Sequence, residues 1–185
     1  MRILAISGSL REESFNSRLL DSAAALAPAG VEIERWHGLR AVPPFDEDLE
    51  VHEAPAPVAE LRRLIADADA VLFSTPEYNG SVPGQLKNAL DWASRPHRTN
   101  PLRNKPVAVV GASTGGFGAL SAQADLRRIL ARIGARVIER GVAVGHAPSQ
   151  CDEDGGLANE SLRDELVAVL DALSGAVRAR ELIAA

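Results

Sequence analysis

The chain has 185 residues, 46% hydrophobic and 24% charged, with a net charge of −5 and a single cysteine. The length suits one domain spanning 1–185, and the apolar fraction excludes global disorder. The acidic balance argues against a protein that coats nucleic acid, Cys151 has no intramolecular disulfide partner, and no apolar run reaches membrane-spanning length.

Residues 3–7 are a short apolar run closed by Gly8, as a strand buried on both faces requires. Leu19, Leu20, Ala23, Leu26 and Ala27 recur at helical spacing over 16–27, and Pro28 and Gly30 stop that helix. Residues 31–36 alternate as a second strand. Residues 37–57, rich in Pro and acids, predict no element. A helix is expected over 58–68 and a third strand over 70–74, stopped by Pro76. A helix over 83–93 would carry Pro83 in its first turn. A fourth strand is expected over 106–112, and a long helix over 118–133 ends at Gly134. A fifth strand over 136–145, a polar turn over 152–156 and a helix over 157–182 complete the chain. Alternating strands and helices predict a parallel sheet covered on both faces. Five strands fit a flavodoxin-like α/β three-layer sandwich, with sheet order 2-1-3-4-5.

In such folds ligands bind outside the carboxyl ends of the strands. Three strand ends carry unusual loops. The first, 7–17, holds Gly8, Ser9, Arg11, Ser14, Asn16 and Ser17 ahead of a helix. Free amides, hydroxyls and one Arg at a helix start suit a phosphate, although Ser and Asn also cap helices without any ligand. Neither a Walker-type phosphate loop nor a G-x-G-x-x-G fingerprint is present. The second loop, Thr75 onward, holds Pro76, Glu77, Tyr78, Asn79 and Gly80. Only seven residues are aromatic, so the one Tyr of the chain, placed directly after a buried strand, suggests a flat ligand ring. Leu86, Leu90 and Trp92 beyond it read as helix core or subunit interface. The third loop, 112–118, brings Ser113, Gly115, Gly116 and Gly118. It offers close backbone approach or a simple turn. Together the loops describe a mononucleotide with a flat ring, and FMN is the natural candidate.

The strings GSLREESFNSRLL at 8–20, TPEYNGSVPGQLKNALDW at 75–92 and GASTGGFGALSAQADLRRIL at 111–130 resemble the NADPH-dependent FMN reductase family over nearly the whole chain. The resemblance implies that Ser9, Arg11, Asn16 and Ser17 hold the FMN phosphate and its ribityl neighbourhood. It implies that Pro76, Glu77, Tyr78 and Asn79 line the isoalloxazine, and that Ser113, Gly115 and Gly116 close the far side. One departure is Ala119 after Gly118, where the family often has paired glycines. The implied activity is FMN-dependent NAD(P)H oxidation by hydride transfer through flavin N5. The acceptor would be a small molecule: a quinone, free flavin, an azo compound or a metal oxyanion such as chromate. The flavin carries that chemistry, so no side chain is nominated as catalytic. The resemblance also implies a homodimer or homotetramer with Leu86 and Trp92 facing the partner.

The competing reading is a flavodoxin-type electron carrier, which covers its flavin with aromatics on both faces. Tyr78 and Phe117 are the only aromatics of these loops, which favours an open flavin face and the reductase. A fold kept as a regulatory module without flavin would not need all three loops. His37, His52, His97 and His146 share no metal-like spacing and read as surface residues. Asp46, Glu47, Asp48 and Glu50 read as a solvated loop. Cys151 beside Asp152 and Glu153 has its thiolate disfavoured. Arg127, Arg128 and Arg132 read as helix surface or subunit contact, and nothing in the sequence supports the alternative of a cofactor 2′-phosphate site there. A cytoplasmic protein, with no membrane or nucleic-acid partner and no metal, is the expectation.

Overall fold

The computed structural model describes residues 1–50, 54–152 and 155–184. Six strands form one parallel sheet: β1 (Arg2–Ser7), β2 (Glu32–Trp36), β3 (Ala70–Thr75), β4 (Pro106–Ala112), β5 (Arg136–Val137) and β6 (Ala143–Val144). The order is β2-β1-β3-β4-β5, with β6 also paired to β4. The helices are α1 (Phe15–Ala25), α2 (Glu47–Glu50), α3 (Ala56–Asp67), α4 (Gly84–Ala93), α5 (Leu120–Ile133) and α6 (Glu160–Ala184). This is the expected flavodoxin-like sandwich.

The apolar runs of β1, β3 and β4 split by residue parity, as the pleat requires. Leu4, Ile6, Val71, Phe73, Val107 and Val109 pack against α3, α4 and α5. Ile3, Ala5, Leu72, Ala108 and Val110 pack against α1 and α6 on the other face. Two buried layers of aliphatic side chains therefore fix the strand ends, and with them the loops.

The fifth strand differs from expectation. Residues 136–145 pair with β4 only at the two ends, as β5 and β6. Ile138 N donates to Val107 O at 2.9 Å, and Gly111 N donates to Val142 O at 2.9 Å. Between these bonds Arg127 Nη2 donates to Val109 O at 2.7 Å, filling the gap in the ladder with a side chain. Gly141 lies against that guanidinium, where an added Cβ would collide with Nη2. Arg127 is thus partly buried, not on the helix surface. Burial lowers its pKa, and its Nε has no hydrogen-bond partner among the described residues. Arg128 and Arg132 are exposed as expected.

The segment predicted to hold no element contains a 3₁₀ turn, Gly38–Ala41, and α2. It is strapped to α4. Gln85 Nε2 donates to Leu39 O and Val42 O, both at 2.8 Å, and Pro43 O accepts from Asn88 Nδ2 and Trp92 Nε1 at 2.8 and 2.9 Å. Trp92 is fully buried and meets Phe45 edge-to-face at 5.0 Å, and Leu86 is also buried. The partner-facing role that the resemblance implied is therefore overturned and the helix-core reading holds: both side chains are buried within their own chain, Trp92 under Pro43 and Phe45.

Smaller differences have local causes. Pro83 is the N-cap of α4 and lies outside its first turn. Gly118 and Ala119 are both left-handed, so α5 starts at Leu120. Leu157 bridges to Cys151 and is buried, so α6 starts at Glu160. The polar turn closes through Asp152 N to Gly156 O at 2.9 Å, while His52, Glu153 and Asp154 lie outside the described residues. Among the described residues no helix is long and apolar enough to cross a membrane.

Candidate cofactor site

The first loop leaves β1 at Ser7 and enters α1 through Ser14, whose Oγ accepts from Asn16 N and Ser17 N. The helix start is thus capped internally, and the open donors lie earlier. Ser7 Oγ accepts from Ser9 N at 3.3 Å, and Ser17 Oγ stands 3.2 Å from it. Ser9 Oγ accepts from Arg11 N at 3.3 Å. These bonds hold the loop open rather than folded on itself. The N–H groups of Leu10, Glu12 and Glu13 have no acceptor among the described residues. The exposed Arg11 guanidinium has no partner among them either. Such uncommitted donors, close in sequence, form an anion-binding concavity.

The Asn16 side chain is committed within the protein. It is buried and fastens three elements together. Its Oδ1 accepts from Ser74 Oγ at 2.9 Å and Ala112 N at 3.0 Å, and its Nδ2 donates to Ala112 O at 2.9 Å. It joins the starts of all three loops and acts as a positioning residue.

In the second loop Pro76 is buried, and Tyr78 and Ser81 exchange both backbone hydrogen bonds at 3.1 and 3.2 Å. Asn79 and Gly80 between them have φ of 52° and 76°, the pattern of a type I′ hairpin turn, for which Asn-Gly is the favoured pair. The turn lifts Tyr78 out of the core, and the residue is 48% exposed. A cleft of about 330 Å³ joins this loop to the first, lined by Gly8, Leu10, Arg11, Arg40, Tyr78 and Gln85 among others. Sequence reasoning missed Arg40 because it comes from the 3₁₀ turn after β2, in a segment with no legible pattern.

The Glu77 carboxylate reaches across to the third loop and accepts from Ser121 N at 3.1 Å and Ala122 N at 3.2 Å. Ala119, the N-cap of α5, has no side-chain oxygen for this task. Glu77 is therefore a helix cap supplied in trans from the second loop, its charge set against the positive helix end. Ser113 Oγ donates to Gly115 O at 3.0 Å. A Cβ on Gly115 would meet only that hydroxyl, whereas one on Gly116 would stand 3.2 Å from His146 Nε2. His146 thus borders the third loop although it follows β6. Ser113, Gly115 and Gly116 do not line the cleft shared by Arg11 and Tyr78; they are tied to it through Asn16 and Glu77.

Loose donors and an arginine suit a phosphate, an exposed phenol ring suits a flat heterocycle, and Gly115 leaves open space opposite. The residues present fit FMN. The model of the family described as NADPH-dependent FMN reductase matches residues 1–149. An NAD(P)H-dependent FMN reductase of Pseudomonas aeruginosa is 40% identical over 179 residues, covering 96% of each chain.

The chain belongs to the NADPH-dependent FMN reductase family.

A 2-hydroxy-1,4-benzoquinone reductase from a Burkholderia species is 35% identical, over 98% of this chain and 99% of its own. The flavoenzyme FerB of Paracoccus denitrificans, described as an NAD(P)H:(acceptor) oxidoreductase, superposes with a TM-score of 0.87 at 34% identity, over 96% and 97% of the two chains. The chain is accordingly an oxidoreductase of the NAD(P)H-dependent FMN and quinone reductase group. Against the paired glycines frequent in this family, Ala119 holds φ at 60°, a left-handed value that costs an L-residue about 1–2 kcal/mol. Outside the loops, burial raises the Cys151 pKa, Arg18 opposes that shift and Asp152 adds to it, which keeps the thiol protonated. Among the described residues no cluster of His, Cys, Asp and Glu could hold a metal ion.

Proposed function

We propose that the whole chain, 1–185, is one FMN-binding domain that oxidises NAD(P)H and reduces quinones at an open flavin face. Ser9, Arg11, Ser17 and the free amides of the first loop would hold the phosphate. Asn16 would keep that loop against β3 and β4. Pro76, Tyr78 and Asn79 would line the ring, with Glu77 fixing their loop to α5. Ser113, Gly115 and Gly116 would lie along its far side, where backbone N–H groups can donate to the electron-rich pyrimidine edge. Bound FMN supplies the two-electron chemistry; the protein orients it, leaves one face accessible and needs no side-chain acid or base.

One observation carries the reading. Uncommitted anion donors and the exposed Tyr78 ring meet in a single cleft at the carboxyl ends of β1 and β3. Quinones are the proposed acceptors because proteins similar along most of the chain are named quinone reductases. Free flavin, azo compounds and chromate are further acceptors that an open face admits. We place the protein in the cytoplasm, where a lone unpaired thiol is at home.

Tyr78, Phe117 and Leu120 are 48%, 83% and 52% exposed beside the loops. Their apolar surface supports a homodimer or homotetramer that completes the site. The electron-carrier reading requires no turnover, so one assay separates the two. FMN-loaded protein should oxidise NADPH or NADH with benzoquinone as acceptor, at a rate proportional to bound FMN. FMN binding with no oxidation by any of these acceptors would establish the carrier.

A further inference from the structure

His146 follows β6 with φ of 48° and ψ of 43°, a left-handed conformation uncommon outside glycine. Hydrogen bonds to the third loop and the next turn keep it there. His146 N donates to Gly115 O and Ala147 N to Ser113 O, both at 2.9 Å. His146 O accepts from Ser149 N and Ser149 Oγ, both at 2.9 Å. The two backbones lie so close that a Cβ at Gly145 would collide with Gly116 O. The imidazole lies against Gly116, whose missing side chain leaves it room: a Cβ there would stand 3.2 Å from Nε2 and 3.6 Å from Cε1. The residue is exposed, and neither ring nitrogen has a hydrogen-bond partner among the described residues. A strained backbone that its surroundings hold in place points to a functional position.

Charge is scarce around this ring. Residues 106–124, from β4 into α5, and 141–150, around β6, contain no ionisable side chain except His146. The charges that reach this region from other elements are already committed. Glu77 accepts from Ser121 N and Ala122 N, and Arg127 donates to Val109 O. β3, β4 and β6 are successive neighbours in the sheet, so β6 lies two strand spacings, about 10 Å, from the strand that carries the Tyr78 loop. A three-ring heterocycle laid along the strand ends from Tyr78 can span that distance and bring its far edge to the third loop.

We infer that His146 is the proton-holding residue of the flavin site, its imidazolium set against the negative charge that reduction leaves on the pyrimidine edge. The inference rests on the proposed FMN and quinone chemistry. A hydride from NAD(P)H brings two electrons and one proton to N5 and leaves one negative charge over N1 and the C2 oxygen. His146, open to solvent, takes up one proton and offsets that charge. When the hydride passes on to a quinone, His146 gives its proton up, and quinone, hydride and proton together make the hydroquinone.

The midpoint potential of bound FMN, followed in the visible spectrum under anaerobic conditions from about pH 7 to 8, tests this without turnover. Uptake of one proton per two electrons lowers the potential by about 30 mV per pH unit, and uptake of two lowers it by about 60 mV. The unaltered protein should show the steeper slope. His146→Asn, which holds no charge and accepts the left-handed backbone, should show the shallower one. A shallow slope in the unaltered protein would overturn the inference, a result that needs no variant to fold. A steep slope kept by the variant would overturn it too, since the second proton would then sit elsewhere. NMR titration of the imidazole signals supplies a second readout. The signal missing from His146→Asn should titrate at least about one pH unit higher in the reduced protein than in the oxidised one, and an equal midpoint in both would contradict the assignment. Failure of the protein to load FMN would instead remove the reading on which the inference rests.

Discussion

The two ends of the sheet handle polar groups in opposite ways. At the amino end polar groups near the starts of β1, β3 and β4 are tied down. Asp69 accepts from Arg2 N at 2.8 Å, Asn100 bonds Leu102 N and Ile133 O at 2.9 Å each, and Lys105 Nζ caps Ala66 O and Ala68 O at the end of α3. At the carboxyl end the amides of Leu10, Glu12 and Glu13, the Arg11 guanidinium and the Tyr78 ring have no such partners among the described residues. The same parallel ladder supports both ends. The difference teaches that donors left uncommitted, beside others firmly tied down, mark the edge where a ligand completes the bonding.

Asn16 should give the largest effect, because it is the carboxyl end's own closed joint. Asn16→Leu strips Ala112 N–H, Ala112 C=O and Ser74 Oγ of their buried partners and should cost about 3 kcal/mol of stability by urea unfolding. A loss under 1 kcal/mol would mean that the three loops hold together without it. Arg11→Ala should leave stability unchanged and weaken FMN binding by about 1.5–3 kcal/mol, read by fluorescence titration. Unaltered affinity would take Arg11 out of the site and blur the contrast between the two ends.

The amino end is tested at Lys105. Lys105→Met removes the cap of two carbonyls and should cost about 1–2 kcal/mol near neutral pH. Burial, aided by Arg180 and opposed by Asp69 and Asp67, lowers the Lys105 pKa to about 8. Below that pH the cost of burying the charge is fully present. As pH rises toward the ordinary value of 10.5, the unfolded chain binds the extra proton, so the wild type gains stability. The gap between wild type and Lys105→Met should widen from pH 7.5 to 9.5, and a narrowing gap would contradict the assignment.

The smallest expected change is a gain. Ala119→Gly relieves the left-handed backbone at the start of α5 and should add about 1 kcal/mol to stability, measured by thermal unfolding. No gain would mean that the Glu77 cap and the buried Ala119 methyl already offset the strain.

The elements legible in the sequence were those set by local pattern. The apolar runs of β1, β3 and β4 carry their own geometry, so the sheet order and the three loops followed from them. What stayed hidden depends on residues far apart in the chain. Nothing near Arg127 announces that it replaces a strand at Val109, 18 positions away. Trp92 read equally as core or as partner-facing, because its cover, Pro43 and Phe45, comes from a segment with no periodicity. The sequence of the first loop cannot reveal that Ala112, 96 positions on, takes the Asn16 amide. The place of His146 was invisible for the same reason, since it meets Gly115 and Gly116 only through the fold.

The central claim is that the open carboxyl end holds a redox-active FMN that exchanges electrons with NAD(P)H. Anaerobic titration of FMN-loaded protein with NADPH, followed in the visible spectrum, tests it most directly. The account predicts one FMN per chain and bleaching at one NADPH per FMN. A yellow protein that dithionite bleaches and neither NADPH nor NADH affects would contradict it.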